Sequence, residues 1–324
     1  MEHLDQAVAL HRRYPVVDGH ADSVLTVLDG QRTLTERSEM GHIDWPRARE
    51  GGLACTVQAA FPAPVYYPVA ARRVGEAIDG LLNQIAAAEG VRLALRADDI
   101  TAAHASGELA VLLNIEGAEG LQGSLALLRN YYRLGVRMMG LVWNHRNEVA
   151  DGVGESEAGG GLTRFGRDVV REMNRLGMLI DLAHITPKGF FEVLELSEDP
   201  VLFTHGNCRA LHDHPRNLTD EQIRALAAHG GVFGISFVAS FMGKETATLS
   251  TVADHIDHVC QLLGSADHVG LGSDFDGADM PPGLEDVTRL PHLTAELLRR
   301  GYREADLAKL LGGNYLRVFR QVLR

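Results

Sequence analysis

Six residues able to bind a metal or move a proton each follow a short apolar run. His20 and Asp22 come after YPVVD, Glu116 after LAVLLNI, His184 after MLIDLA, His205 after PVLFT and Asp274 after HVGLGS. Imidazole and carboxylate together make a donor set for a divalent transition metal. Residues two apart on an extended chain share a face, so His20 and Asp22 can address one ion. An HxD tripeptide alone is a weak signal. However, Asp22 and Glu116 at one mouth would repel each other without a cation, which couples the two observations. In GSDFDG, Asp274 comes first after the apolar run and is placed to carry a proton beside a metal-activated water. Asp276 is placed to hold the turn by accepting backbone N–H bonds. Arg216, in HGNCRALHDHPRNLTD, offers a two-pronged grip for a carboxylate.

Such residues work together only if the chain delivers them to one place. Eight apolar runs read as buried strands: 15–17, 53–59, 109–115, 136–142, 178–182, 201–203, 231–237 and 268–272. Near-continuous runs of Val, Ile, Leu and Ala suit parallel strands covered on both faces. Helical patterns lie between several of them, at 70–88, 166–176, 188–196, 219–228, 254–263 and 305–311. This alternation predicts a (β/α)8 TIM barrel, and no linker or repeat divides residues 1–324, so a single catalytic domain is expected. The six residues then end the first, third, fifth, sixth and eighth predicted strands, which is the catalytic face of such a barrel. The glycine-rich stretch 151–161 would lie on the same face, as a lid or as a solvated loop.

Composition narrows the partners. With 31 basic and 43 acidic residues the formal net charge is −12, which argues against nucleic acid as the main partner. Three cysteines, Cys55, Cys208 and Cys260, without close spacing, fit neither a disulfide framework nor a cysteine-based zinc site. No run approaches the ~18 apolar residues of a membrane span, and the first residues lack the apolar core of a secretory signal. A cytoplasmic protein without a membrane partner is the expectation.

The order DGHAD, NIEG, DLAH, HGNCRALHDHPRN and GSDFDG resembles the membrane (renal) dipeptidase family of zinc metallopeptidases, within the amidohydrolase-like barrels. The likeness runs from Asp18 to GGNYLRV near the C-terminus. It implies a site with two Zn²⁺ ions, or another divalent metal. His20 and Asp22 would bind one ion, His184 and His205 the other, and Glu116 would bridge them. Asp274 would be the general acid/base, and Arg216 would hold the carboxylate of a small peptide substrate. The implied reaction is hydrolysis of dipeptides, including L,D-dipeptides, by a hydroxide bridging the metals. The alternative is a related amidohydrolase acting on N-acyl amino acids or on another carboxylate-bearing amide or lactone. A homodimer is implied as well. In vertebrate relatives a histidine that contacts substrate follows a Leu-Thr pair. The corresponding segment here is GLVWNHRN, which puts Asn144 or His145 at that position.

Overall fold

A computed structural model of the chain describes residues 3–324. Nine strands form its sheet: β1 (Val16–Ala21), β2 (Leu53–Ala60), β3 (Val91–Leu93), β4 (Leu109–Ile115), β5 (Val136–Gly140), β6 (Leu179–Asp181), β7 (Leu202–Gly206), β8 (Val232–Ile235) and β9 (Val269–Leu271). All pairings between them are parallel, and β1–β9 and β2–β4 contacts close eight of the strands into a barrel. The eight predicted runs are the eight barrel strands. The ninth, β3, was not predicted. It pairs only with the start of β4 and is half-buried, so its three residues lack the apolar continuity of the barrel strands.

Helices enclose the barrel, and several begin on a threonine cap. Thr163, Thr186 and Thr219 each accept a backbone N–H from the first helical turn of 164–176, 187–196 and 220–228 respectively. Each cap supplies an acceptor to an orphan N–H donor, typically worth about 1 kcal/mol. The caps at Thr186 and Thr219 also fix where the chain turns after His184 and after the Arg216 loop. The first strand runs to Ala21, four residues beyond its predicted end, because extended geometry continues through His20 to Ala21, where it bridges to Phe275. The segment predicted as one helix over 305–311 is a helix at Glu304–Ala308, a π turn at Lys309–Gly313 and a further helix at Asn314–Val322. Gly312 explains the local geometry, because it lies against Pro15 and Val17 too closely to admit a Cβ.

That last helix closes the barrel floor. Tyr315 and Phe319 pack with Val17, Val57, Leu112 and Leu202 in a fully buried cluster. The Tyr315 hydroxyl donates to Leu271 O at 3.0 Å. Gly19 on β1, Gly234 on β8 and Gly270 on β9 make room for this ring; a Cβ at any of them would collide with it or its hydroxyl. Gly270→Ala should therefore cost about 1–3 kcal/mol, the usual penalty of an overpacked core. Urea unfolding checks this, and a wild-type midpoint would show that the ring can move aside.

Candidate active site

His20, Asp22, Glu116, His184, His205 and Asp274 converge at the C-terminal mouth of the barrel. Three groups bring their donor atoms within 4.8 Å of one another: His20 with Asp22 and Glu116, Glu116 with His184 and His205, and His20 with His205 and Asp274. His20 Nε2 lies 3.4 Å from Asp22 Oδ2 and 3.6 Å from Glu116 Oε2. Glu116 turns its other oxygen to His184 Nε2 at 2.9 Å and His205 Nε2 at 3.5 Å. Its two carboxylate oxygens thus face different imidazoles, Oε2 toward His20 and Oε1 toward His184 and His205. Asp274 Oδ1 stands farther out, 3.9 Å from His20 Nε2.

The hydrogen bonds behind the imidazoles decide what the ring nitrogens can do. His184 Nδ1 lies 2.8 Å from Asn144 Oδ1, an acceptor, so Nδ1 carries the proton. His184 Nε2 and His205 Nε2 are 3.0 Å apart. With Nδ1 protonated, the His184 Nε2 lone pair is directed at a carboxylate oxygen and at a second imidazole. His20 has no hydrogen-bond partner on either ring nitrogen, and Asp22 Oδ1 is equally unpartnered, although all are buried. Buried acceptors facing one another are costly unless a cation is shared among them. The donor set, three imidazoles and three carboxylates, fits a divalent metal.

The electrostatics of the protein groups follow from burial and crowding. Burial pushes the Asp274 carboxyl up to about 7, with the Asp22 and Glu116 charges adding to the rise while His20 and Arg216 oppose it. Burial, followed by the nearby Arg216 charge, lowers His184 to about 3. Burial also drives His205 well down. His20 differs: burial alone would lower its pKa, but the Glu116 and Asp22 carboxylates outweigh this and raise it.

The backbone is strained where it presents these groups. His184, Asp274 and Asp276 have φ of 70°, 63° and 68°, a left-handed conformation that His and Asp tolerate better than most residues, at a cost of order 1–3 kcal/mol each. Side-chain bonds hold it. Asp18 accepts from Ser273 N and Ser273 Oγ, tying β1 to the start of the Asp274 loop. Asp276 accepts from His42 N and Arg32 Nη2, both at 2.6 Å, the loop-holding use expected of it, and this fastens the 29–44 segment to the site's rim.

A cavity of about 440 Å³ opens onto the cluster. Phe61, Trp143, Val238 and Phe241 form apolar parts of its wall, and Arg216 and Asp274 supply charge. Arg216 is buried; its Nη2 donates to His205 O at 3.1 Å, while Nε and Nη1 have no partner. A larger hollow of about 730 Å³ lies at the opposite end, beside Pro15 and His268, but no converging set of metal donors lines it.

Of the two candidates in the segment after β5, one reaches the cavity. Asn144 lines the cavity and orients His184. His145 does not line it; the residue is exposed, with its ring 5.5 Å from that of Trp143. Trp143, which sequence reasoning passed over, faces the cavity and packs against Phe61 and His184. An indole that directly follows the apolar run Gly140–Val142 reads as core. The 151–161 stretch also stays out of the cavity wall. Val153 N donates to His184 O, and Arg146 makes two bonds to Asp151, so its start braces the His184 turn.

The family model for membrane dipeptidase, peptidase family M19, matches residues 4–324. The chain belongs to this family. It is a metal-dependent hydrolase, a dipeptidase of the M19 type. Dipeptidase verJ of Clonostachys rogersoniana is 34% identical over 342 residues, covering 99% of this chain and 87% of that protein. A solved metallopeptidase of the family, dipeptidase AC, superposes with a TM-score of 0.90 at 33% identity, covering 96% of this chain and 99% of its own. A metallopeptidase from Rhodobacter sphaeroides, solved with a phosphinate mimic of the dipeptide L-Ala-D-Ala, gives a TM-score of 0.89 at 32% identity over 95% and 99% of the two chains. Among the described residues of this M19 chain, no helix is long and apolar enough to cross a membrane.

Proposed function

We propose that this M19 chain is a binuclear zinc dipeptidase that accepts dipeptides with either an L- or a D-residue at the C-terminal position. The observation that carries the reading is the division of donors around Glu116: His20 and Asp22 on one oxygen, His184 and His205 on the other. Mixed imidazole and carboxylate donors suit Zn²⁺, although they do not select it sharply over other divalent ions. Divalent metal held there supplies Lewis acidity, polarising an amide carbonyl and making water a competent nucleophile near neutral pH.

The chain's own groups supply the rest. Arg216 lines the cavity with Nε and Nη1 unpartnered and would take the free carboxylate of the substrate, fixing the scissile bond over the cluster. Asp274 would accept a proton from the attacking water and deliver it to the leaving amine. Phe61 and Trp143 would exclude bulk water on one side. A cavity of about 440 Å³ favours short peptides. The tolerance for a D-residue is supported by the L-Ala-D-Ala mimic bound by the Rhodobacter neighbour.

Metal analysis and a panel of L,L-dipeptides, L,D-dipeptides and N-acyl amino acids, run on one purified sample, test this. The expected result is two zinc equivalents and turnover of dipeptides of both kinds. A sample with two zincs that cleaves N-acyl amino acids but no dipeptide would overturn the substrate assignment, and one with a single equivalent would overturn the two-metal assignment.

A further inference from the structure

Behind His205 lies a buried carboxylate whose hydrogen bonds go to Ala183 and Thr204 and to none of the metal-donor side chains. Asp181 ends β6, is 1% exposed and has no cationic partner among its hydrogen bonds. Its Oδ1 accepts from Ala183 N at 3.0 Å and from Thr204 N at 2.9 Å. Its Oδ2 accepts from the Thr204 hydroxyl at 2.7 Å. That hydroxyl also lies 2.9 Å from His205 Nδ1. A hydroxyl has one proton. Once it is given to Asp181, the oxygen can only accept from the imidazole, so His205 must carry its proton on Nδ1.

We propose that Asp181 is a positioning residue: acting through Thr204 Oγ1, it holds His205 in the Nδ1–H tautomer and so keeps Nε2 free as a metal donor. The inference rests on the binuclear reading above for which ion His205 serves, with His184 and Glu116. Asn144 performs the matching task for His184 through a single amide oxygen. The two imidazoles of that position are therefore fixed differently, one from the cavity wall and one from inside the barrel. Contacts of this kind behind metal-binding histidines typically change metal affinity 10–100-fold when removed. The same bonds tie β6 to β7, so a purely structural role must be separated from tautomer control, and the polarity of the relay permits this. In Asp181→Asn an amide NH₂ can donate to Thr204 Oγ1, which releases the hydroxyl proton toward His205 Nδ1 and reverses the tautomer.

The test uses the full chain labelled with ¹⁵N-histidine. In metal-stripped protein the ring ¹⁵N shifts of His205 report which nitrogen is protonated. Nδ1–H is expected in the wild type and in Thr204→Ser, a loss of that preference in Thr204→Val, and a shift to Nε2–H in Asp181→Asn. Zinc affinity, read by competition with a chromophoric chelator, should weaken 10–100-fold for one equivalent in Thr204→Val and stay within about threefold in Thr204→Ser. Thermal melts identify any variant that fails to fold. If Asp181→Asn is one of them, the Val and Ser pair decides. Retention of Nδ1–H in Thr204→Val overturns the proposal, as does a Thr204→Ser protein that loses zinc as Thr204→Val does. A wild type that binds one zinc would sink the binuclear reading while leaving the tautomer comparison intact.

Discussion

Asp274→Asn is expected to lower kcat on dipeptides by a factor on the order of 10³, within the range for loss of general acid–base catalysis, while KM changes by no more than a few fold. Asparagine keeps the shape of the side chain and can still accept a hydrogen bond, but it cannot take and return a proton. The geometry favours this reading over a ligand role. Asp274 Oδ1 is the most distant of the three carboxylates from His20 Nε2, at 3.9 Å against 3.4 and 3.6 Å for Asp22 and Glu116. Its carboxyl lines the cavity beside the donor cluster, where a substrate's leaving amine would lie. Zinc analysis on the variant separates the two roles. Two equivalents retained with kcat down by about 10³ fits a proton carrier. Loss of an equivalent would make Asp274 a ligand, and a fall of less than tenfold in kcat would remove it from the proton path.

The barrel was legible because parallel strands buried on both faces leave long apolar runs, and the six donors were legible because each follows such a run. What escaped had no comparable signal. The strand at Val91–Leu93 is half-buried and short. The relay behind His205 depends on Asp181 and Thr204, residues 23 apart. An aspartate within MLIDLA is visible in the sequence, but its partner is fixed only by β6–β7 pairing. Trp143 was hidden for a different reason: where a residue points just beyond a strand end depends on a turn, and a one-residue shift exchanges wall for solvent. The two sides of that shift are Asn144 in the cavity wall and His145 exposed beyond it. Arg216 was legible as a candidate carboxylate grip, and the fold brings it to the cavity, whereas its isolation was not legible, since that depends on what the fold fails to place beside it.

That isolation gives the second large effect. Arg216→Met should lower kcat/KM on dipeptides by about 10²–10³-fold, the equivalent of the roughly 3–4 kcal/mol that two charge-assisted bonds to a carboxylate can contribute, and should leave the melting temperature unchanged or raised. The two outcomes have one cause. In the free protein the guanidinium is 4% exposed, and two of its nitrogens are unpartnered. Burial lowers its pKa to about 10, against the pull of Asp274 and Glu116, so it remains charged at neutral pH without an ion-pair partner. The Phe203 and Phe241 rings, 5.8 and 5.4 Å from Cζ, offset part of this cost. A substrate carboxylate would offset the rest, so burial that is unfavourable in the free enzyme becomes binding energy in the complex. Methionine fills the space without a charge. If Arg216 mainly supports His205 through the single bond to its carbonyl, the variant should instead melt lower and lose zinc. If it grips the carboxylate, zinc content is retained and N-terminally free dipeptide amides, which lack that carboxylate, are cleaved equally poorly by wild type and variant. Equal loss on dipeptides and their amides would remove Arg216 from substrate recognition.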